Sequence, residues 1–282
     1  MDMTQTARAP AAGVAGSCAN CAAELAGPFC HACGQAARDP LASVRSFAAH
    51  VTADLFSLDS RVVRSLRALL LRPGALTRSY LAGERVRHTG PLQLYLLAAA
   101  LFFLVNAYRP FVAFDVRTRL VAVRMGVTHV TGHMTGGEVA RLQARGISLD
   151  QFHARFDTIV QGNLPTFMAG SILLFALALL AFYRRVGYMA HVVFALHWCA
   201  FYLLLMIADR ALPGAGRVRD VASIAILLVS WAYLLRALRV VHAQAWGVTV
   251  AKSVGLLLCF QLVLYAWVMS VIALGFESVR RG

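Results

Sequence analysis

The sequence predicts a mainly α, polytopic α-helical membrane protein of about five transmembrane helices with a small cysteine-rich head at its amino end. Three observations carry this. Of 282 residues, 59% are hydrophobic and 14% charged, where a soluble domain is about 45–50% apolar and about 25% charged. The apolar excess falls in long runs downstream of residue 90, each near the roughly 20 residues that cross a bilayer as a helix. Four of the six cysteines lie within residues 18–33.

Residues 1–17 are rich in Ala, Gly, Thr and Pro and lack a long apolar core. They read as a flexible tail without a cleavable signal peptide. Residues 18–36 follow as a head unit. Cys18-x-x-Cys21 and Cys30-x-x-Cys33 stand eight residues apart. Each pair puts two sulfurs on one tight turn, and two facing turns make a tetrahedral four-thiolate site. Zinc suits that site, and four protein ligands leave no open position, so the ion is structural. Gly34 supplies the left-handed backbone that such a turn needs, and Ala22 occupies the equivalent place in the first turn. A piece of about 20 residues has no other means of stabilising a fold. His31 is a bystander beside four thiolates. Grouped cysteines of this kind suit a reducing compartment, which places the N-terminus in the cytoplasm.

Residues 37–90 read as short amphipathic helices at the membrane surface. The first runs from about Leu41 to Phe56. Asp59 or Ser60 caps the second, in which Val62, Val63, Leu66, Leu69 and Leu70 recur at helical spacing among Arg61, Arg64, Arg67 and Arg72. Pro73-Gly74 stops it. A third, Ala75 to Ala82, ends near Gly83. Such an arginine-studded helix either lies in the interface or packs on the ends of the spans.

The transmembrane domain covers 91–276, with spans at 91–108, 165–183, 189–207, 221–238 and within 248–276; a tail of 277–282 follows. The runs lack barrel alternation, and only helices or closed barrels satisfy backbone groups in lipid. Lys and Arg counts in the short loops favour an inside N-terminus, hence a multi-pass protein of the bacterial cytoplasmic (inner) membrane. An odd number of spans then leaves the C-terminus outside. The loop 109–164 falls outside. Its Val- and Thr-rich alternation predicts a hairpin, its second half reads as helical with Asp150 near a helix start, and the whole forms a small outer cap.

A Cys-x-x-Cys…Phe-Cys-x-x-Cys-Gly-Gln ribbon (Cys18, Cys21, Phe29, Cys30, Cys33, Gly34, Gln35), an Arg72-Pro73-Gly74 step, Tyr80-Leu81-x-Gly83-x-Arg85 and Pro91 together resemble a bacterial membrane family catalogued as domain of unknown function 3667. The stretch 191–201, HVVFALHWCAF, resembles that family's His-x-x-Phe-x-Leu-His segment, with Cys199 where a further histidine is expected. The resemblance implies this architecture and no activity.

Ionisable groups within spans are costly and point to function by default. His191 and His197 lie six residues apart, on different faces of one helix, so they do not jointly bind a metal. His191, near the inner edge, reaches toward headgroups. His197, deeper, is a proton site or an inter-helix hydrogen bond, with Gln261 or Ser230 as partner. Asp209-Arg210 reads as a border pair. No carboxylate pair, nucleophile elbow or phosphate-cradling loop is present.

The net charge of +14 suits an anionic membrane surface in a chain with these spans, and no nucleic-acid partner is expected. The reading preferred is therefore a non-enzymatic docking or scaffold protein, with a structural zinc ion on Cys18, Cys21, Cys30 and Cys33. Its partners are the lipid bilayer, a cytoplasmic protein met by the ribbon, and a second copy in a homo-oligomer. Two alternatives stand beside it. One is a small transporter or channel with His197 in its path. The other is a membrane enzyme acting on envelope components through His129, His133 and His153.

Overall fold

The computed structural model describes residues 16–37, 60–108, 112–115, 120–125, 128–133, 135–211 and 217–281. The expected helix from Leu41 to Phe56 lies outside the described residues. After the cysteine-rich head, the described chain contains α1 (Ser60–Leu71), α2 (Ala75–Leu81), α3 (Pro91–Tyr108), β1 (Val112–Asp115), β2 (Leu120–Met125), β3 (Thr128–His133), α4 (Gly136–Ala144), α5 (Leu149–Phe182), α6 (Tyr188–Ala211), α7 (Arg217–His242) and α8 (Trp246–Arg281).

Among the described residues five helices are long and apolar enough to cross a membrane: α3, α5, α6, Ile224–His242 of α7 and Trp246–Ser270 of α8. Their burial ranks them. In α6, 78% of the apolar window is buried inside the protein, against 28–39% in the other four. A helix apolar all round sits at the centre of a bundle. Accordingly α6 packs against α3, α5 and α7 and also against α1 and α2. The outer helices keep apolar stripes exposed, such as Leu173, Leu174 and Leu177 on α5 and Leu258, Leu262 and Tyr265 on α8. Those stripes are the lipid-facing surface. Inside, association rests on close packing rather than on the hydrophobic effect. Trp198 of α6 forms the hub, with rings of Phe175, Phe201, Tyr202, Tyr233 and Phe260 at 5.9–6.3 Å.

The helix expected to start near Asp150 and the second span at 165–183 are one helix, Leu149–Phe182, unbroken for 34 residues, about 51 Å at 1.5 Å per residue. Ser148 caps it and forms a reciprocal capping box with Gln151, which satisfies two free amides at the helix start. Pro165 lies within the helix and does not end it. The α8 helix, 36 residues long, spans about 54 Å. Both exceed the roughly 30 Å of hydrocarbon, so both project from the bundle at the end away from the head. There the expected hairpin is a three-stranded antiparallel meander in the order β1-β2-β3. Its first strand meets α5 and its third meets α8. Asn106 Nδ2 donates to Gln161 Oε1 at 2.6 Å, tying the end of α3 to the extension of α5.

At the head end, α1 and α2 are set into the bundle. Val62, Ser65 and Leu69 of α1 and Leu76, Thr77 and Tyr80 of α2 are buried, while Val63, Leu70 and Leu71 face outward. The inner face of α1 thus packs on the bundle as one of the two expectations had it, and its outer face keeps Val63, Leu70 and Leu71 exposed. The turn between α1 and α2 follows from two residues. Pro73 has no N–H to offer the carbonyl four residues back. That carbonyl belongs to Leu69, and Tyr233 of α7 donates its hydroxyl to it at 2.8 Å. Gly74 takes φ 78°, and a Cβ there would lie 2.7 Å from the Ala237 carbonyl oxygen. Glycine is required twice over, by the left-handed backbone and by contact with α7.

Candidate metal centre

The head is built from two copies of one turn. In the first, Cys18 N donates to Ala23 O at 2.7 Å, Ala22 N donates to Cys18 O at 2.8 Å, and Ser17 bridges Glu24. In the second, Cys30 N donates to Gln35 O at 2.8 Å, Gly34 N donates to Cys30 O at 2.8 Å, and Phe29 bridges Ala36. The left-handed position is Gly34 at φ 74° in one copy and Ala22 at φ 60° in the other. The same ring of hydrogen bonds thus forms around either residue, at a greater backbone cost for alanine.

The two turns face each other and bring together all four cysteines singled out in the sequence. Their Sγ atoms lie within 4.8 Å of one another. Cys18 and Cys33 are 3.6 Å apart and Cys21 and Cys30 are 3.5 Å apart. A disulfide needs about 2.05 Å, so these are separate thiols. With metal–sulfur bonds of about 2.3 Å, a regular tetrahedron has edges of about 3.8 Å, and the cluster fits that size. Burial opposes ionisation of Cys30, but the amides of Cys33 and Ala32 and the neighbouring sulfurs outweigh it and pull the thiol down to about 6. Cys21 gains from the amide of Ala23, yet the sulfurs of Cys30, Cys33 and Cys18 together with partial burial push it up to about 12. One thiolate is favoured and further ones repel it. A cation at the centre removes that conflict, as metal–thiolate sites require. His31 is exposed and outside the cluster.

The head is docked on the bundle through a contact that sequence reasoning missed. Gln35 is buried, and both ends of its amide are used. Nε2 donates to Gly83 O at 2.7 Å and Oε1 accepts from Arg85 N at 3.1 Å. Gly83, at φ 93°, comes so close to Ala19 that a Cβ would lie 2.6 Å from the alanine Cβ. Gln35, Gly83 and Arg85 all belong to the pattern quoted for the family resemblance. Their shared spacing was the available signal, but only the fold shows that they touch. In the same head Phe29 is 64% exposed.

His197 makes the expected inter-helix hydrogen bond with another partner, and His191 is placed differently from expectation. His197 Nδ1 lies 3.0 Å from Thr77 Oγ1 of α2. Neither expected partner serves it: Ser230 Oγ donates to Ile226 O within its own helix, and Gln261 Oε1 has no hydrogen-bond partner. His191 is buried and does not reach outward; its Nε2 is 3.2 Å from Tyr183 O. Tyr183 stacks on His242 at 3.8 Å, and Lys252 Nζ lies 4.2 Å from the centre of the tyrosine ring and donates to Phe182 O at 2.8 Å. Lysine thereby caps the C-terminal end of α5. In the outer cap, His129 and His133 are four residues apart on β3, about 13 Å along a strand, and His153 pairs with Asp157 at 3.3 Å within α5.

The chain is therefore a mainly helical protein with five candidate membrane spans and a four-cysteine cluster that forms a possible metal site. No curated protein and no solved structure matches it. Over residues 59–103, which hold α1, the Pro73-Gly74 turn, α2 and most of α3, the chain matches the family described as protein of unknown function, DUF3667.

Proposed function

We propose that this is a non-enzymatic docking protein of the bacterial inner membrane whose cytoplasmic ribbon, folded on a zinc ion, is a fixed platform for a protein partner. The observation that carries the reading is a head anchored to the bundle through Gln35 that leaves an aromatic ring exposed. Gln35 and Ala19 fix the head to the Gly83–Arg85 segment, while Phe29 stands exposed. An aromatic ring held in water by a rigid unit suits a contact residue. Cys18, Cys21, Cys30 and Cys33 would hold the zinc, which supplies folding free energy and no open position for chemistry. A transport role would need His197 on a water path, and its burial and its bond to Thr77 suit a structural task.

Metal analysis of the full-length protein in detergent, paired with site-specific crosslinking from the head, tests this. About one zinc per chain is expected, with a crosslinked partner that Phe29→Ser abolishes while zinc content is unchanged. Cys30→Ser is expected to lose both. A metal-free protein with a folded head, a partner indifferent to Phe29→Ser, or an N-terminus labelled from the periplasm overturns it.

A further inference from the structure

We infer that the end of the bundle formed by the α5–α6 turn and the α7–α8 turn is a seat for the phosphate headgroup of an anionic phospholipid. Arg184 and Arg185 lie exposed in the α5–α6 turn, and Arg236 is exposed on the last turns of α7. The Arg239 guanidinium carbon is 5.3 Å from the centre of the Trp246 ring. Tyr183 stacks on His242 and lies under Lys252, so the α5–α6 turn meets the end of α7 and the start of α8 at this end of the bundle. Arg72 adds to it, because the turn carrying Gly74 rests on Ala237 and Val240 of α7.

No carboxylate occurs in the sequence between Asp157 and Asp209 or between Asp220 and Glu277. The two turns and the end of α7 therefore carry arginines and no carboxylate of their own, and no ion pair is found for Arg72, Arg184, Arg185 or Arg236 among the described residues. A cationic surface gains most from a ligand that supplies the missing anion. The position selects the source of that anion. Trp246 is 57% exposed and Val248 47% exposed at the start of a membrane-spanning helix. An exposed tryptophan beside arginine marks the level where headgroups meet hydrocarbon, and basic pockets between helices at that level take lipid headgroups. A soluble phosphate would leave those apolar groups uncovered.

Arginines at span ends also set orientation during insertion, but that role ends once the protein is folded and predicts no lipid preference afterward. The test is native mass spectrometry of the detergent-purified full chain titrated with phosphatidylglycerol or phosphatidylcholine of matched acyl chains. Phosphatidylglycerol is expected to be retained at least tenfold more tightly. Arg184→Gln/Arg185→Gln/Arg236→Gln is expected to abolish that preference without changing phosphatidylcholine binding, and the triple lysine variant is expected to keep most of it. Inorganic phosphate at millimolar concentration is expected not to compete. Equal retention of the two lipids by the wild type, an unchanged preference in the glutamine variant, or displacement by inorganic phosphate overturns the inference. Melting by circular dichroism verifies that each variant is folded, and Arg184→Gln/Arg185→Gln, confined to the exposed turn, replaces the triple variant if that one is not.

Discussion

At the residue scale, Ala22 shows how little of the cysteine turn depends on side-chain identity. It adopts the left-handed backbone that its counterpart Gly34 adopts without strain, and alanine bears about 1–2 kcal/mol for that conformation. Ala22→Gly is therefore expected to stabilise the head by up to about 1 kcal/mol, because the greater freedom of glycine in the unfolded chain offsets part of the relief. A slower loss of zinc to a competing chelator would register the gain. The twofold turn was legible in the cysteine spacing, since two x-x steps force two tight turns. That Ala22 would tolerate the conformation was not, because the surrounding hydrogen bonds compensate it. His88 offers a second residue-level outcome. Burial, and after it the charges of Arg87 and Arg64, hold its pKa below the ordinary histidine value. A histidine depressed in this way contributes stability that is present above its unfolded pKa of about 6.5 and is lost as pH falls through the folded value. Acidification from pH 7 to pH 5 is expected to lower the melting temperature of the wild type more than that of His88→Gln.

At the element scale, five apolar runs were enough to place the spans, because length and hydropathy decide what crosses a bilayer. They were not enough to place the ends. Pro165 reads as a natural helix start, yet α5 continues through it, since the residues before it are helical in pattern and Ser148 caps them. The turn at Arg72-Pro73-Gly74 was legible as a stop and not as an anchor. Its anchoring rests on Tyr233, 164 residues away from Leu69 in the chain, a separation beyond the reach of any local pattern. Tyr233→Phe keeps the ring that stacks on Phe201 at 3.6 Å and removes the hydroxyl alone. The Leu69 carbonyl is then buried without a partner, which costs about 1–3 kcal/mol. A lower midpoint in detergent-mediated unfolding is expected, with the same helix content before the transition.

At the scale of the whole molecule, the head and the bundle are two units stabilised by different means. The bundle has a continuous packed interior around α6. The head has a four-cysteine cluster and a polar anchor, Gln35, on the Gly83–Arg85 segment. Small units of this kind rely on their metal for folding. A chelator that strips the ion is therefore expected to unfold the head alone. In hydrogen exchange, amide protection should fall across 16–37 and at Arg85, whose N–H donates to Gln35, and stay unchanged in the interior of α6. Gln35→Ala separates anchoring from folding. It is expected to expose the amide of Arg85 while the four-cysteine cluster keeps its metal, because the residue contributes no sulfur and its backbone carbonyl, which closes the turn to Cys30, survives the substitution. Loss of protection spreading into α6 on chelation would mean that the metal holds the bundle as well as the head. Among the described residues, Gln35 joins the head to Gly83 and Arg85, which lie outside the buried interior of α6.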